Sequence, residues 1–236
     1  TTTLGGGVQP VECTPIFVGA AAAFPNNNPP WASDLGINNT GDADLTYKMR
    51  FLPRGDDNTD VAYTDEMMLA PNTAASYVDV WNTYAGEGAG SIEVCVSFSV
   101  DATATSRIYT TTDDGTLGQS FVGMAGMTPA KLIGTGEVAR LGGLTQNDHF
   151  RTNAGFMNAG AHPITVMAEF FSADGTSLGT SSVDLPPYSN NQWNRAFRQV
   201  TNDDVDLGYI DVWSETAGAM FLAYGSVIDN MSDDPT

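Results

Sequence analysis

Two histidines, two cysteines and several Asp-rich loops are the residues in this chain whose types can do chemistry. His149 follows Asp148, and His162 precedes Pro163. A Ser-His-Asp hydrolase needs one of these histidines as its base, yet no Gly-x-Ser-x-Gly elbow accompanies either. A zinc site needs three or four His, Cys or carboxylate ligands in tetrahedral reach, and two histidines with two bridged cysteines do not supply them. Paired carboxylates can cleave glycosides, but among 28 acidic residues a pair at a suitable distance arises by chance and has no weight. The reading is of a protein that is not an enzyme.

The acidic loops are Asp56-Asp57-Asn58-Thr59-Asp60, Asp113-Asp114-Gly115, Asp203-Asp204-Val205-Asp206, and Asp229-Asn230 with Asp233-Asp234. Calcium takes several oxygen ligands from such loops, but none has the EF-hand spacing. Solvated turn carboxylates are the plain reading. If one loop holds Ca²⁺, it is the one with Asp56, Asp57, Asn58 and Asp60; no other cofactor is expected. Trp31, Tyr77, Trp81, Trp193, Trp213, Tyr188 and Tyr224 would make a sugar-stacking platform if exposed. Their places at strand ends and alternate positions favour the core instead. Asn38-Asn39-Thr40 and Asn230-Met231-Ser232 match the N-glycosylation pattern, making Asn38 and Asn230 candidate acceptors.

Cys95 sits in an alternating run from Ile92 to Phe98, and Cys13 precedes the apolar Ile16-Phe17-Val18. A Cys13–Cys95 bridge between a first and a late strand of one sandwich is expected, contributing about 3–5 kcal/mol in the chain-entropy model. It requires an oxidising compartment. Nine Lys and Arg against 28 Asp and Glu give a net charge of −19, which repels nucleic acid and anionic membrane surfaces. No apolar run reaches the roughly 20 residues that span a bilayer. The opening Thr1-Thr2-Thr3-Leu4, with no initiator Met, is expected of a mature form left by cleavage of a signal.

Those residues must be positioned by strands. Leu45-Thr46-Tyr47-Lys48-Met49-Arg50-Phe51 alternates, sending Leu45, Tyr47, Met49 and Phe51 to one face and Thr46, Lys48 and Arg50 to the other. Strands are also expected over 16–24, 31–38, 63–69, 75–81, 91–100 and 106–111, with a helical turn at Trp81–Tyr84. Asn, Gly, Pro and Asp punctuate them. The chain then repeats itself. Gly36 and Gly155 lie 119 positions apart, and at that offset Asn39 meets Asn158, Gly41 meets Gly160 and Phe51 meets Phe170. The offset becomes 116 for Leu69 and Leu185, Pro71 and Pro187, Trp81 and Phe197, then 118 for Gly90 and Gly208 and for Ile92 and Ile210. Such shifts belong in loops, where length changes are tolerated. The fold expected is all-β: two tandem antiparallel β-sandwiches, Ig-like or jelly-roll-like. The first spans 16–111 and the second 136–236. An N-terminal extension covers 1–15, and a connector over 112–135 packs on one or both units through Phe121, Val122, Leu132 and Ile133.

Several phrases occur together: Arg50-Phe51-Leu52-Pro53-Arg54-Gly55-Asp56-Asp57-Asn58, Ser106-Arg107-Ile108-Tyr109-Thr110, Phe150-Arg151-Thr152-Asn153, and Ala223-Tyr224-Gly225-Ser226-Val227-Ile228-Asp229-Asn230. In these the chain resembles tandem β-sandwich repeat segments of secreted and surface proteins from environmental bacteria. The resemblance implies export and the sandwich fold, and brings no activity and no catalytic residues. The cysteine pair and the acidic surface depart from it. The function expected is that of an extracellular or cell-surface structural protein that self-associates, as a subunit of a filament or surface layer. Its partner is then another copy of itself, joined by edge contacts or by an extended N-terminal tail added as a strand. The alternative is a carbohydrate- or ligand-binding accessory module with a glycan as partner.

Overall fold

A computed structural model describes residues 13–97, 101–125 and 132–235. In the first unit, β1 (Cys13–Ala23), β3 (Leu45–Pro53), β4 (Met67–Leu69), β6 (Gly88–Ser97) and β9 (Met124–Ala125) form one sheet, ordered β4-β3-β6-β1-β9. Its partner sheet contains β2 (Trp31–Asn39), β5 (Ala74–Tyr77), β7 (Ala102–Thr112) and β8 (Gly115–Val122), ordered β5-β2-β7-β8. In the second unit, β11 (Ala139–Gln146), β13 (Ile164–Ser172), β14 (Ser177–Leu185) and β16 (Val205–Trp213) are ordered β11-β16-β13-β14. They face β10 (Ile133–Gly134), β12 (Phe150–Asn158), β15 (Asn190–Trp193) and β17 (Met220–Asp229), ordered β10-β17-β12-β15. The run β4-β3-β6-β1 is thus reproduced as β14-β13-β16-β11, and β5-β2-β7 as β15-β12-β17. The chain is all-β, as two tandem antiparallel sandwiches.

Period-two patterning builds each core. Leu45, Tyr47, Met49 and Phe51 of β3 meet Ile92, Val94 and Val96 of β6 and Leu35 and Ile37 of β2. Val166, Ala168 and Phe170 of β13 meet Ile210 and Val212 of β16 and Ala154 and Phe156 of β12 in the second unit. β1 breaks the pattern because from Ile16 to Ala23 it is buried throughout. A continuous apolar run is what a strand covered on both faces requires.

The second cover is the other unit. Phe17 and Leu52, on the outer face of the first unit's β1-β3-β6 sheet, pack with Met157 and Leu222 on the outer face of β12 and β17. The molecule is therefore a stack of four sheets. The row beside Phe17 carries an ion pair: Phe17 lies opposite Glu93, and Glu93 opposite Arg50. Arg50 Nη2 is 2.6 Å from Glu93 Oε2, with the two side chains 6% and 4% exposed. The Tyr63 hydroxyl donates to Glu93 Oε1 (2.6 Å), Arg50 Nη1 donates to the Asn58 carbonyl (3.3 Å), and the guanidinium lies 4.2 Å from the Tyr188 ring centroid of the second unit. The loop between β3 and β4 closes over this pair. That is why Arg50, on the face expected to meet water, is buried.

The strand expected over 63–69 is reduced to β4, because Tyr63 turns inward to Glu93 and Thr64 ties back to Met49. Most of the described residues in the stretch read as a connector are strand. β8 and β9 complete the first unit, and β10 pairs with β17 in the second. Phe121 sits edge-on to Tyr224 of the second unit (4.8 Å), and Leu132 and Ile133 pack into apolar clusters, whereas Val122 is 63% exposed. Period two explains the exception, since Phe121 takes the inward side. Cys13, Thr14 and Pro15 belong to β1 rather than to an extension, and residues 1–12 lie outside the described residues.

The duplication extends to single hydrogen bonds. The Asn39 side-chain amide donates to the carbonyls of Ala43, Leu69 and Ala70 (2.8, 3.2 and 3.1 Å), and its Oδ1 accepts the Gly41 N–H (3.0 Å). Asn158 does the same for His162, Leu185 and Pro186 (2.7, 3.4 and 2.9 Å) and for Gly160 (2.9 Å). Each asparagine is buried and ties three chain segments together. Asp79 and Arg195 both open a short helical turn with positive φ (47° and 55°), the first being α1 (Val80–Tyr84). Trp81 and Phe197 then drop into the cores. Each ring rests on a glycine, Gly90 or its counterpart Gly208, where a Cβ would collide with the ring and with the neighbouring strand's carbonyl.

We predict that Asn39→Ala and Asn158→Ala each lower unfolding stability by about 2–4 kcal/mol, because both leave buried carbonyls without donors. Urea denaturation of the two variants checks this. A silent substitution in one unit would show that the two turns are not equivalent.

Candidate functional site

The outer face of the β15-β12-β17 sheet changes character along its length. Met157 and Leu222 lie opposite each other and are buried against the first unit. One step on, Gln192, Gly155 and Tyr224 form a row across the three strands. Gly155 has no Cβ, so the Tyr224 ring crosses over it and its hydroxyl donates to Gln192 Oε1 (3.0 Å). The next rows place Asn153 beside Ser226 and Arg151 beside Ile228. Here the two units part, and a cleft of about 430 Å³ opens between them.

The first unit supplies the facing wall: Phe24 and Trp31 at the β1–β2 connection, Ile108 of β7, and Gln119 and Phe121 of β8. Arg54, in the turn after β3, stands at the cleft, held through its N–H to the Ala89 carbonyl (3.0 Å). Among the described residues its guanidinium has no hydrogen-bond or carboxylate partner. Burial pushes the Tyr224 hydroxyl up to about 12, and the Arg54 charge pulls the other way, so the two groups feel one another. Tyr224 therefore remains a protonated donor at any ordinary pH. Arg151 is already engaged, by Asp233 (2.7 Å) and Asn230 Oδ1 (3.2 Å). The tail after β17 folds back along the cleft: Pro235 bridges to Ile228, and Asp234 Oδ1 accepts the Gly118 N–H of β8 (3.2 Å).

Of the seven aromatics read as a stacking platform, Trp31 and Tyr224 line this cleft. Trp81 is core, and Trp193 packs on Phe156 and Phe170. Tyr77 hydrogen-bonds Tyr47, and Tyr188 lies under Arg50. The candidate calcium loop does not converge. Asn58 points inward, its amide donating to the carbonyls of Pro53, Asp56 and Tyr188. Asp57 caps Thr59, whose hydroxyl and N–H hold its carboxyl below the usual carboxylate range, while Asp56 and Asp60 are exposed. No group of three or more His, Cys, Asp or Glu that could hold a metal occurs among the described residues. The Asn38 amide meets Thr103 Oγ1 (3.2 Å), and that of Asn230 donates to the carbonyls of Asn147 and Asp148. Cys13 and Cys95 are disulfide-bonded across the adjacent strands β1 and β6. His149 and His162 lie in turns, and the His162 carbonyl serves Asn158. The residues missed by sequence reasoning are Phe24, Arg54, Gln119, Arg151, Asn153 and Gln192. The polar alternation Arg151, Asn153 just before the apolar stretch Ala154 to Met157 of the same strand was the available signal.

Neither a protein-family model nor a curated protein matches this chain. Among solved structures, an allantoicase is similar over 94% of this chain and 79% of that chain, at 8% sequence identity and a TM-score of 0.24. No helix among the described residues is long and apolar enough to cross a membrane.

Proposed function

We propose that the protein is an exported, non-catalytic building block that self-associates through a sheet edge, as a subunit of an extracellular filament or surface layer. The observation that carries this reading is β14. It is the nine-residue outermost strand of its sheet, it has no Lys, Arg or Pro, and its one charged residue is Asp184, which accepts from the Thr165 hydroxyl of β13. Sheet edges are normally blunted by shortness, charge, bulges or cover. The other described edges have such devices: β4, β5, β9, β10 and β15 have two to four residues. β11 is irregular around Gly142 and Gly143, and the β8 edge is met by Asp234. β14 has one irregularity near Leu178, and from Gly179 to Leu185 its pairing with β13 is regular. An added strand would find unpaired N–H and C=O groups there. Residues 1–12, uncharged until Glu12, are the donor this reading assigns. The disulfide fits an oxidising compartment.

Analytical ultracentrifugation and negative-stain imaging test the proposal. The intact chain is expected to form concentration-dependent oligomers or fibres that are lost when residues 1–12 are deleted or when Thr180 and Ser182 become lysine. A strictly monomeric intact chain, or assembly unchanged by both variants, sinks it. A second reading, a ligand-binding module, is favoured by the cleft between the units.

A further inference from the structure

We infer that the cleft between the two sandwiches binds a short acidic oligosaccharide, with Arg54 receiving a sugar carboxylate; this rests on the ligand-binding reading above. Size is the first argument. About 430 Å³ lies within the roughly 300–1,000 Å³ range of small-ligand sites. Lining chemistry is the second. Trp31, Phe24 and Phe121 give the wall apolar aromatic surface of the kind that packs on the C–H faces of sugar rings, while the Gln119 amide offers a paired donor and acceptor and Asn153, whose Oδ1 accepts the Arg195 N–H, offers its amide nitrogen as a donor to sugar hydroxyls. Neither amide nitrogen has a partner among the described residues.

Charge is the third argument and decides the class. The chain carries −19, and its overall field repels anions. The charged residues lining the cleft are Arg54, Arg151 and Asp233, a net +1. Asp233 neutralises Arg151, which leaves Arg54 as the lining cation without a carboxylate among the described residues. A guanidinium presents a planar fork that matches a carboxylate with two parallel hydrogen bonds. A neutral sugar would leave that fork unused, and a fully ionic ligand would leave the aromatic wall unused. A uronate-bearing oligosaccharide uses both.

Isothermal titration calorimetry of the full chain with galacturonate, mannuronate and guluronate trimers, each beside its methyl-esterified form, tests this. At least one acidic trimer is expected to bind, with its methyl ester at least tenfold weaker. Arg54→Gln should remove that tenfold difference, and Trp31→Ala should weaken both forms. Because Arg54 is exposed, its substitution is not expected to impair folding. Equal binding of acid and ester overturns the carboxylate assignment and leaves the saccharide reading standing. Binding of none of the trimers overturns both.

Discussion

Glu93→Ala is expected to destabilise the chain by about 3–5 kcal/mol, because it strands the Arg50 guanidinium in a site with almost no access to water. The loss should spread. Tyr63 donates to Glu93, and burial first, then the Glu93 charge, holds its hydroxyl well above the usual tyrosine range. With Glu93 gone, Tyr63 loses its acceptor, and the β3–β4 loop that it anchors should open. Amide exchange across that loop should quicken along with a lower urea midpoint. The double replacement Arg50→Met with Glu93→Leu separates two explanations. Buried ion pairs replaced together by apolar residues are often neutral or stabilising. The double variant should therefore recover most of the stability, whereas loss of the Tyr188 contact should still loosen the two units. A double variant as unstable as the single one would show that the pair contributes much more than its own desolvation cost.

Breaking the Cys13–Cys95 bridge, by reduction or by the double alanine variant, is expected to lower stability by about 4.5 kcal/mol. That is the chain-entropy value for a separation of 82 residues. The bridge joins neighbouring strands, with Cys95 opposite Pro15 and Cys13 opposite Ser97. β1 contributes to the first core through Ile16 and Val18 and to the inter-unit layer through Phe17. Freeing its start in the denatured chain therefore lengthens the search for both. Thermal and urea unfolding with and without reductant measure the effect. A change below about 1 kcal/mol would mean that the β1–β6 ladder already restricts the unfolded chain there.

Much of the fold was legible in local pattern. Leu45, Tyr47, Met49 and Phe51 alternate because a pleated strand has period two, and all four are in the core. The pairs Asn39 with Asn158 and Gly90 with Gly208 stood out as repeated letters. In the structure the two asparagines each hold three carbonyls, and the two glycines each make room for a ring. The cysteine pairing followed from the two strand positions. Less legible were β4, where Tyr63 turned away from a strand-like run, and β8, where Thr- and Gly-rich sequence hid a full strand paired to β7. Alternation of Phe121 and Val122 was the cue to β8, but two apolar residues are too short a run to set a phase.

Strand type, turn positions, the duplicated unit and the inward face of most strands were set by residue order alone, because those properties depend on neighbours a few positions away. The docking of one sandwich on the other was decided only in three dimensions. It turns on how the outer face of β1, β3 and β6 meets that of β12 and β17, strands far apart in the chain; the apolar run of β1 signals a second cover, but no periodicity reports what supplies it. From that one contact come the Tyr188 ring over Arg50, the burial of β1 on its outer face, and the cleft where Arg54, Trp31, Asn153 and Tyr224 converge.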